Sequence, residues 1–169
     1  MNTNLPSEQA QLIIGIGSPF GDDRAGWEVV EQLQRMDLPP EIRLLSLDRP
    51  GVELIERMRG HARVTLIDAV HSEEHPPGTC LELTPEQLHL LACTSTHGFG
   101  LADTLKLGQS LDALPPSLQL CAICISPPKQ SPAAIITPAI QTAAVTLARQ
   151  LALQVHPSGT YTMEPSCSR

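Results

Sequence analysis

Gln11-Leu12-Ile13-Ile14-Gly15-Ile16-Gly17-Ser18-Pro19-Phe20-Gly21-Asp22-Asp23-Arg24-Ala25-Gly26-Trp27 passes from an apolar run, through a glycine-punctuated loop, into residues of helical periodicity. Gln11 to Gly17 is apolar at consecutive positions, which predicts a strand buried on both faces, since a strand with one wet face would alternate. Ser18 to Arg24 reads as a loop. From Ala25 to about Met36, Trp27, Val30, Leu33 and Met36 recur at helical spacing until Pro39-Pro40 stops the helix.

The alternation continues outward from this unit. Ile42 to Leu47 predicts a strand ending at Asp48, with a short helix from Gly51 to about Met58. Arg63 to Ile67 predicts a third strand, ending at Asp68. Pro76-Pro77-Gly78 sets a turn before an edge strand over Thr79 to Leu83, and a helix runs from Pro85 to about Leu91. Thr94 to Gly100 is a polar, glycine-rich loop, Leu101 to Leu111 a helix, Leu118 to Ile125 the last strand, and Thr137 to about Val155 a long alanine-rich helix. Strands separated by helices require crossover connections, so the expected fold is α/β: one domain with a twisted, mainly parallel sheet of about five strands and helices on both faces.

The expected domain covers residues 11–156, with a flexible segment over 1–10 and a disordered tail over 157–169, which is rich in polar residues, Pro, Gly and Ser. A length of 169 residues suits one hydrophobic core, and a hydrophobic share of 41% argues against disorder along the whole chain. A net charge of −7 leaves no basic stripe to release counterions, which excludes a nucleic-acid backbone as the main partner. No apolar run is long enough for membrane insertion, and the first residues lack the basic and apolar regions of a signal peptide. Five irregularly spaced cysteines do not resemble a secreted disulfide framework. Together these features predict a cytoplasmic protein.

Ligands of parallel sheets bind beyond the carboxyl ends of the strands. Asp23, Asp48 and Asp68 stand at or just past three such ends. One carboxylate there is an ordinary cap or turn residue, but several on one rim repel unless a cation, a proton or an opposing side chain compensates. Asp22 is read as a cap of the helix that follows. Both carboxylates of the pair cannot cap one helix, so Asp23 is free to act as a metal ligand beside Asp68. Imidazole candidates are His97, between Thr96 and Gly98 where Gly98 and Gly100 allow close backbone approach, and His71 and His75, nearer Asp68 in sequence. Cys121 and Cys124 have metal-knuckle spacing, but three residues apart on a strand they face opposite ways and read as small core residues. No serine or cysteine nucleophile with a paired base stands out.

Three segments in register resemble the hydrogenase maturation proteases, the endopeptidases that trim the C-terminus of [NiFe] hydrogenase large subunits. They are Gly15 to Gly26, Ile67-Asp68-Ala69-Val70 with Pro77-Gly78-Thr79, and Ser95-Thr96-His97-Gly98-Phe99-Gly100-Leu101-Ala102-Asp103. The likeness runs from about Leu12 to about Leu153. It implies a twisted α/β sheet flanked by helices, and it implies that Asp23, Asp68 and His97 are the metal-binding and catalytic residues. The implied metal is nickel already loaded into the precursor subunit, with no organic cofactor. Three positions depart from the family's usual pattern. Ser18 stands where asparagine is common, Asp48-Arg49-Pro50-Gly51 replaces Asp-Gly-Gly-Thr, and Ile125-Ser126-Pro127 lacks a glutamate. Asp48, Arg49 and Gly98 are therefore expected to flank the substrate.

The expected activity is removal of the C-terminal extension of a nickel-loaded large-subunit precursor. One alternative is a non-catalytic metal-sensing or hydrogenase-subunit-binding module, with the same ligands. Another is a dinucleotide-binding protein, since Gly15-Ile16-Gly17 follows a strand and Asp48 ends the next. Against it, Gly21 falls one residue late for the fingerprint and Asp22-Asp23 would face the phosphates. A self-contained zinc peptidase would need a His-Glu-x-x-His helix that this sequence lacks. A peptidase in which Asp23 and Asp68 share a proton is the remaining rival.

Overall fold

Strands that are apolar on both faces need helices on both sides, and the chain supplies them. The computed structural model describes residues 11–92, 100–126 and 135–155. In order these form β1 (Gln11–Gly17), a 3-10 turn (Gly21–Arg24), α1 (Ala25–Gln34), β2 (Ile42–Asp48), α2 (Glu53–Met58), β3 (Arg63–His71), β4 (Cys80–Leu83), α3 (Pro85–Ala92), α4 (Leu101–Ser110), β5 (Ser117–Ile125) and α5 (Pro138–Val155). The sheet order is β2-β1-β3-β5-β4, with β4 antiparallel at one edge and every other neighbouring pair parallel. This is the expected α/β architecture. Residues 1–10 and the tail, with the loop that carries His97 and Gly98, lie outside the described residues.

Side chains alternate between the two faces, as a period of two requires. Leu12, Ile14, Val64, Leu66 and Leu120 pack with Leu54, Met58, Leu88 and Leu105 from α2, α3 and α4. Ile13, Ile67, Cys121 and Ile123 pack with Val29, Leu33, Ile140, Leu147 and Leu151 from α1 and α5. Cys121 and Cys124 are both buried, and burial pushes the Cys121 thiol up to about 12, so it is no thiolate at neutral pH.

The glycines of the opening segment serve a packing need. A Cβ on Gly15 would overlap the main-chain carbonyl of Gly26, and one on Gly26 would overlap the main-chain oxygens of Ile16 and Ile67. Helix α1 therefore begins against bare backbone, astride β1 and β3. That contact accounts for Gly15 without any phosphate to cradle. Pro76-Pro77-Gly78 forms the expected turn: the Thr79 N–H donates to the Pro76 carbonyl at 3.1 Å, and Gly78 adopts φ +90° at the position where a type II turn favours glycine.

Most boundaries fall within two residues of expectation, and two of the shifts have a clear cause. Helix α2 starts at Glu53, because Gly51 has φ +51° and the Glu53 N–H donates to the Pro50 carbonyl in a preceding turn. More consequentially, β3 does not stop at Asp68 but runs to His71. Its pairing with β5 continues from Asp68↔Ala122 to His71↔Ile125, whereas its pairing with β1 ends at Gly15↔Ile67. A carboxylate can sit inside this strand because the neighbour on one side has departed at that residue. No described helix is long and apolar enough to cross a membrane.

Candidate active site

From β1 the chain turns to β2 on one side and reaches β3 on the other, so the order reverses at β1/β3. Crevices of doubly wound sheets open at such a reversal. Asp68 lies where β3 loses β1, and Asp23 lies in the 3-10 turn that leaves the end of β1. The topology thus brings these two predicted residues to one crevice.

Asp23 is exposed but firmly placed. The Ser18 hydroxyl donates to its Oδ2 at 3.1 Å, and the Ser18 N–H donates to its main-chain carbonyl at 3.2 Å. Ser18 is itself buried, at 3% exposure, so it holds Asp23 from beneath. A serine five residues upstream carries no recognisable signal, and its positioning role was not legible in the sequence.

Asp22 does something other than expected. Neither the 3-10 turn nor α1 has a side-chain cap hydrogen bond. Asp22 instead accepts from the Thr137 N–H at 2.7 Å and from the Thr137 hydroxyl at 3.1 Å, tying the turn to the start of α5. The N–H of Thr137, the residue just before α5, is the partner it takes in place of its own helix. We expect Asp22→Ala to lower unfolding free energy by about 1–2 kcal/mol, with Asp22→Asn recovering part of the loss through Oδ1. Urea denaturation checks this, and a loss no larger than that of an ordinary surface substitution would refute the link.

The three rim carboxylates are compensated in three ways. Asp48 closes β2 and accepts from the Arg49 Nε at 2.7 Å, a pair whose two side chains are 48% and 67% exposed. Burial pushes the Asp68 carboxyl up to about 7. The Ala69 N–H, donating to Oδ1 at 2.8 Å, works against that shift, and the nearby Asp23 charge adds a smaller upward push. Asp48 thus has a guanidinium, and Asp68 holds its proton for part of the time near neutral pH. Asp23 accepts from a hydroxyl and has Arg49 only as a weaker charge partner, which leaves it as the rim charge best able to attract a cation.

Of the rival imidazoles, that of His71 is drawn elsewhere, its Nδ1 lying 3.0 Å from the Ser126 carbonyl, while the main-chain N–H of His75 donates to the Ser72 hydroxyl. Among the described residues no three His, Cys, Asp or Glu groups are arranged to hold a metal, so neither histidine completes a set with Asp23 and Asp68. His97 and Gly98 lie between α3 and α4, outside the described residues. Trp27 braces the crevice from the helix side: its Nε1–H donates to the Leu47 carbonyl at 2.9 Å, and the Arg24 guanidinium lies 5.8 Å from its ring centroid.

Comparison with known proteins points one way. The family model described as "HycI: Hydrogenase maturation protease" matches residues 27–154, a stretch that includes Asp68 and His97 and begins just after Asp23. The Hydrogenase 2 maturation protease of Escherichia coli (strain K12) is 31% identical over 134 residues, 77% of this chain and 80% of that protein. The hydrogenase maturating endopeptidase HybD from E. coli superposes with a TM-score of 0.69 at 25% identity, over 85% of this chain and 91% of that one. An endopeptidase from E. coli whose structure was determined in solution gives a TM-score of 0.71 at 28% identity, with the same coverage.

Proposed function

Because this chain belongs to the hydrogenase maturation protease family, we propose that it is the endopeptidase that removes the C-terminal extension of a nickel-loaded [NiFe] hydrogenase large-subunit precursor. The observation that carries the site assignment is the meeting of Asp23 and Asp68 at the β1/β3 reversal. Two carboxylates held together there gain from a cation between them.

In this reading Asp23, Asp68 and His97 hold the precursor's nickel as part of the substrate. The direction of the chain supports including His97. Strand β4 descends antiparallel to β5, so α3 climbs back and α4 descends to the start of β5. Ala92 and Leu101, which bracket His97, therefore lie toward the carboxyl rim. Binding through the metal would fix the scissile peptide in the crevice, where water attacks its carbonyl, a carboxylate oxygen takes the water proton, and that proton passes to the departing amine as the C–N bond breaks. The proton shared by two aspartates is the weaker reading, because burial rather than Asp23 is the main cause of the raised Asp68 carboxyl. A reducing, cytoplasmic setting fits the free thiols of Cys80, Cys121 and Cys124.

The test is a nickel-loaded precursor incubated with wild type, Asp23→Asn, Asp68→Asn or His97→Ala, with mass spectrometry of the precursor's C-terminus. Trimming should fall about 100-fold or more in each variant, and a precursor lacking nickel should stay uncut. Unchanged trimming by all three variants would sink the assignment. Binding to the precursor without any mass change would favour the non-catalytic module.

A further inference from the structure

Arg49 adopts φ +42°, one of two described non-glycine residues with a positive φ. Left-handed backbone is unfavourable for a long side chain and persists where surrounding contacts impose it. Two contacts do so here. The Arg49 N–H donates to the Gly17 carbonyl at 3.2 Å, and the guanidinium forks onto Asp48, with Nε at 2.7 Å and Nη2 at 3.5 Å. Gly17 is followed by Ser18, which holds Asp23 through both its N–H and its hydroxyl. These bonds tie the Arg49 backbone to the end of β1 and its exposed guanidinium to Asp48, on the same rim that carries Asp23.

We propose that Arg49 is a specificity residue that weakens binding of free divalent cations at the Asp23–Asp68 crevice, so that the site answers to metal presented within a protein substrate. The idea rests on the reading that Asp23 and Asp68 bind a cation at all. A positive charge at the rim repels a small dication approaching from solvent. A metal delivered inside a folded precursor brings its own ligands and the contacts of the polypeptide, which outweigh that repulsion. Asp48 is the main partner of Arg49 and Asp23 a weaker one, as expected for a charge that spans the rim rather than closing it. An arginine is needed only if its charge matters, because the backbone conformation alone would be better served by glycine.

Titration of nickel chloride alone into the untagged full chain, followed by calorimetry, tests the proposal in wild type, Arg49→Gln and Arg49→Lys. Arg49→Gln keeps the backbone strain and removes the charge, whereas Arg49→Lys keeps both. Nickel should bind Arg49→Gln roughly three- to tenfold more tightly than wild type at low salt, and the gap should shrink in concentrated salt. Arg49→Lys should stay within about twofold of wild type on the same electrostatic grounds. Adding Asp23→Asn to both backgrounds should abolish the gap. Equal affinity of Arg49→Gln and wild type, a gap that survives Asp23→Asn, or no nickel binding by any variant would each overturn it. Precursor trimming is measured separately, so its dependence on Asp68 stands or falls independently of these titrations.

Discussion

Asp68→Asn should inactivate the protease while making the metal-free protein more stable above neutral pH. The Asp68 carboxyl is raised from 3.8 to about 7, with burial as the leading cause. A raised acid favours the folded state while protonated. Below pH 3.8 both folded and unfolded forms carry the proton, and the contribution is fully present. As pH rises toward and through 7 the unfolded chain ionises freely while the folded one resists, and the contribution is lost. Every tenfold weakening of the acid on folding corresponds to about 1.4 kcal/mol, so the loss by about pH 8 is on the order of 2–4 kcal/mol. Asparagine has no charge to desolvate, and its side-chain oxygen can still accept from the Ala69 N–H. The stability gain of Asp68→Asn should therefore be near zero at about pH 4 and reach a few kcal/mol at about pH 8. Urea denaturation of both proteins across that range measures it. A difference that does not vary with pH would mean that Asp68 is not the group that resists ionisation.

The same residue shows what was legible in the sequence and what was not. Continuous apolar runs located β1 to the residue and the cores of β2, β3 and β5, because burial on both faces leaves no other pattern. The role of strand ends in parallel sheets then pointed to Asp23 and Asp68. The end of β3 was missed because a polar residue after Ile67 looks like a terminus. Only the sheet order, with β5 continuing beside β3 after β1 has left, explains why the strand goes on. Ser18 beneath Asp23 and Thr137 on Asp22 are pairings created by folding, the second across 115 positions. No local rule anticipates them. The Asp48–Arg49 pair is local, yet its meaning depends on the left-handed backbone at Arg49, which the sequence does not advertise. His97 owed its place to the family resemblance, and its proposed role is decided by the trimming assay.

Gly26→Ala should be among the most damaging small substitutions in the described fold. The added methyl would meet main-chain atoms on two strands at once: the nitrogen and oxygen of Ile16 and the oxygen of Ile67. A flexible side chain could swing aside, but paired strand backbone cannot move without breaking the β1–β3 ladder at its last register pair, Gly15↔Ile67. Helix α1 would have to lift instead, uncovering Val29 and Leu33, both fully buried. Overpacking of this kind typically costs about 1–3 kcal/mol where side chains can adjust. With backbone on both sides we expect more than about 3 kcal/mol, a large part of the stability of a domain this size. Gly51→Ala makes a useful contrast: nothing lies within 4 Å of its added methyl, so only the strain of φ +51° remains. Thermal unfolding of the two variants should separate them clearly, with Gly26→Ala melting far lower or failing to fold. If Gly26→Ala lost no more than Gly51→Ala, the close approach of α1 to the sheet would be wrong. The placement of Asp23 would fall with it, since the 3-10 turn that carries Asp23 runs directly into that helix.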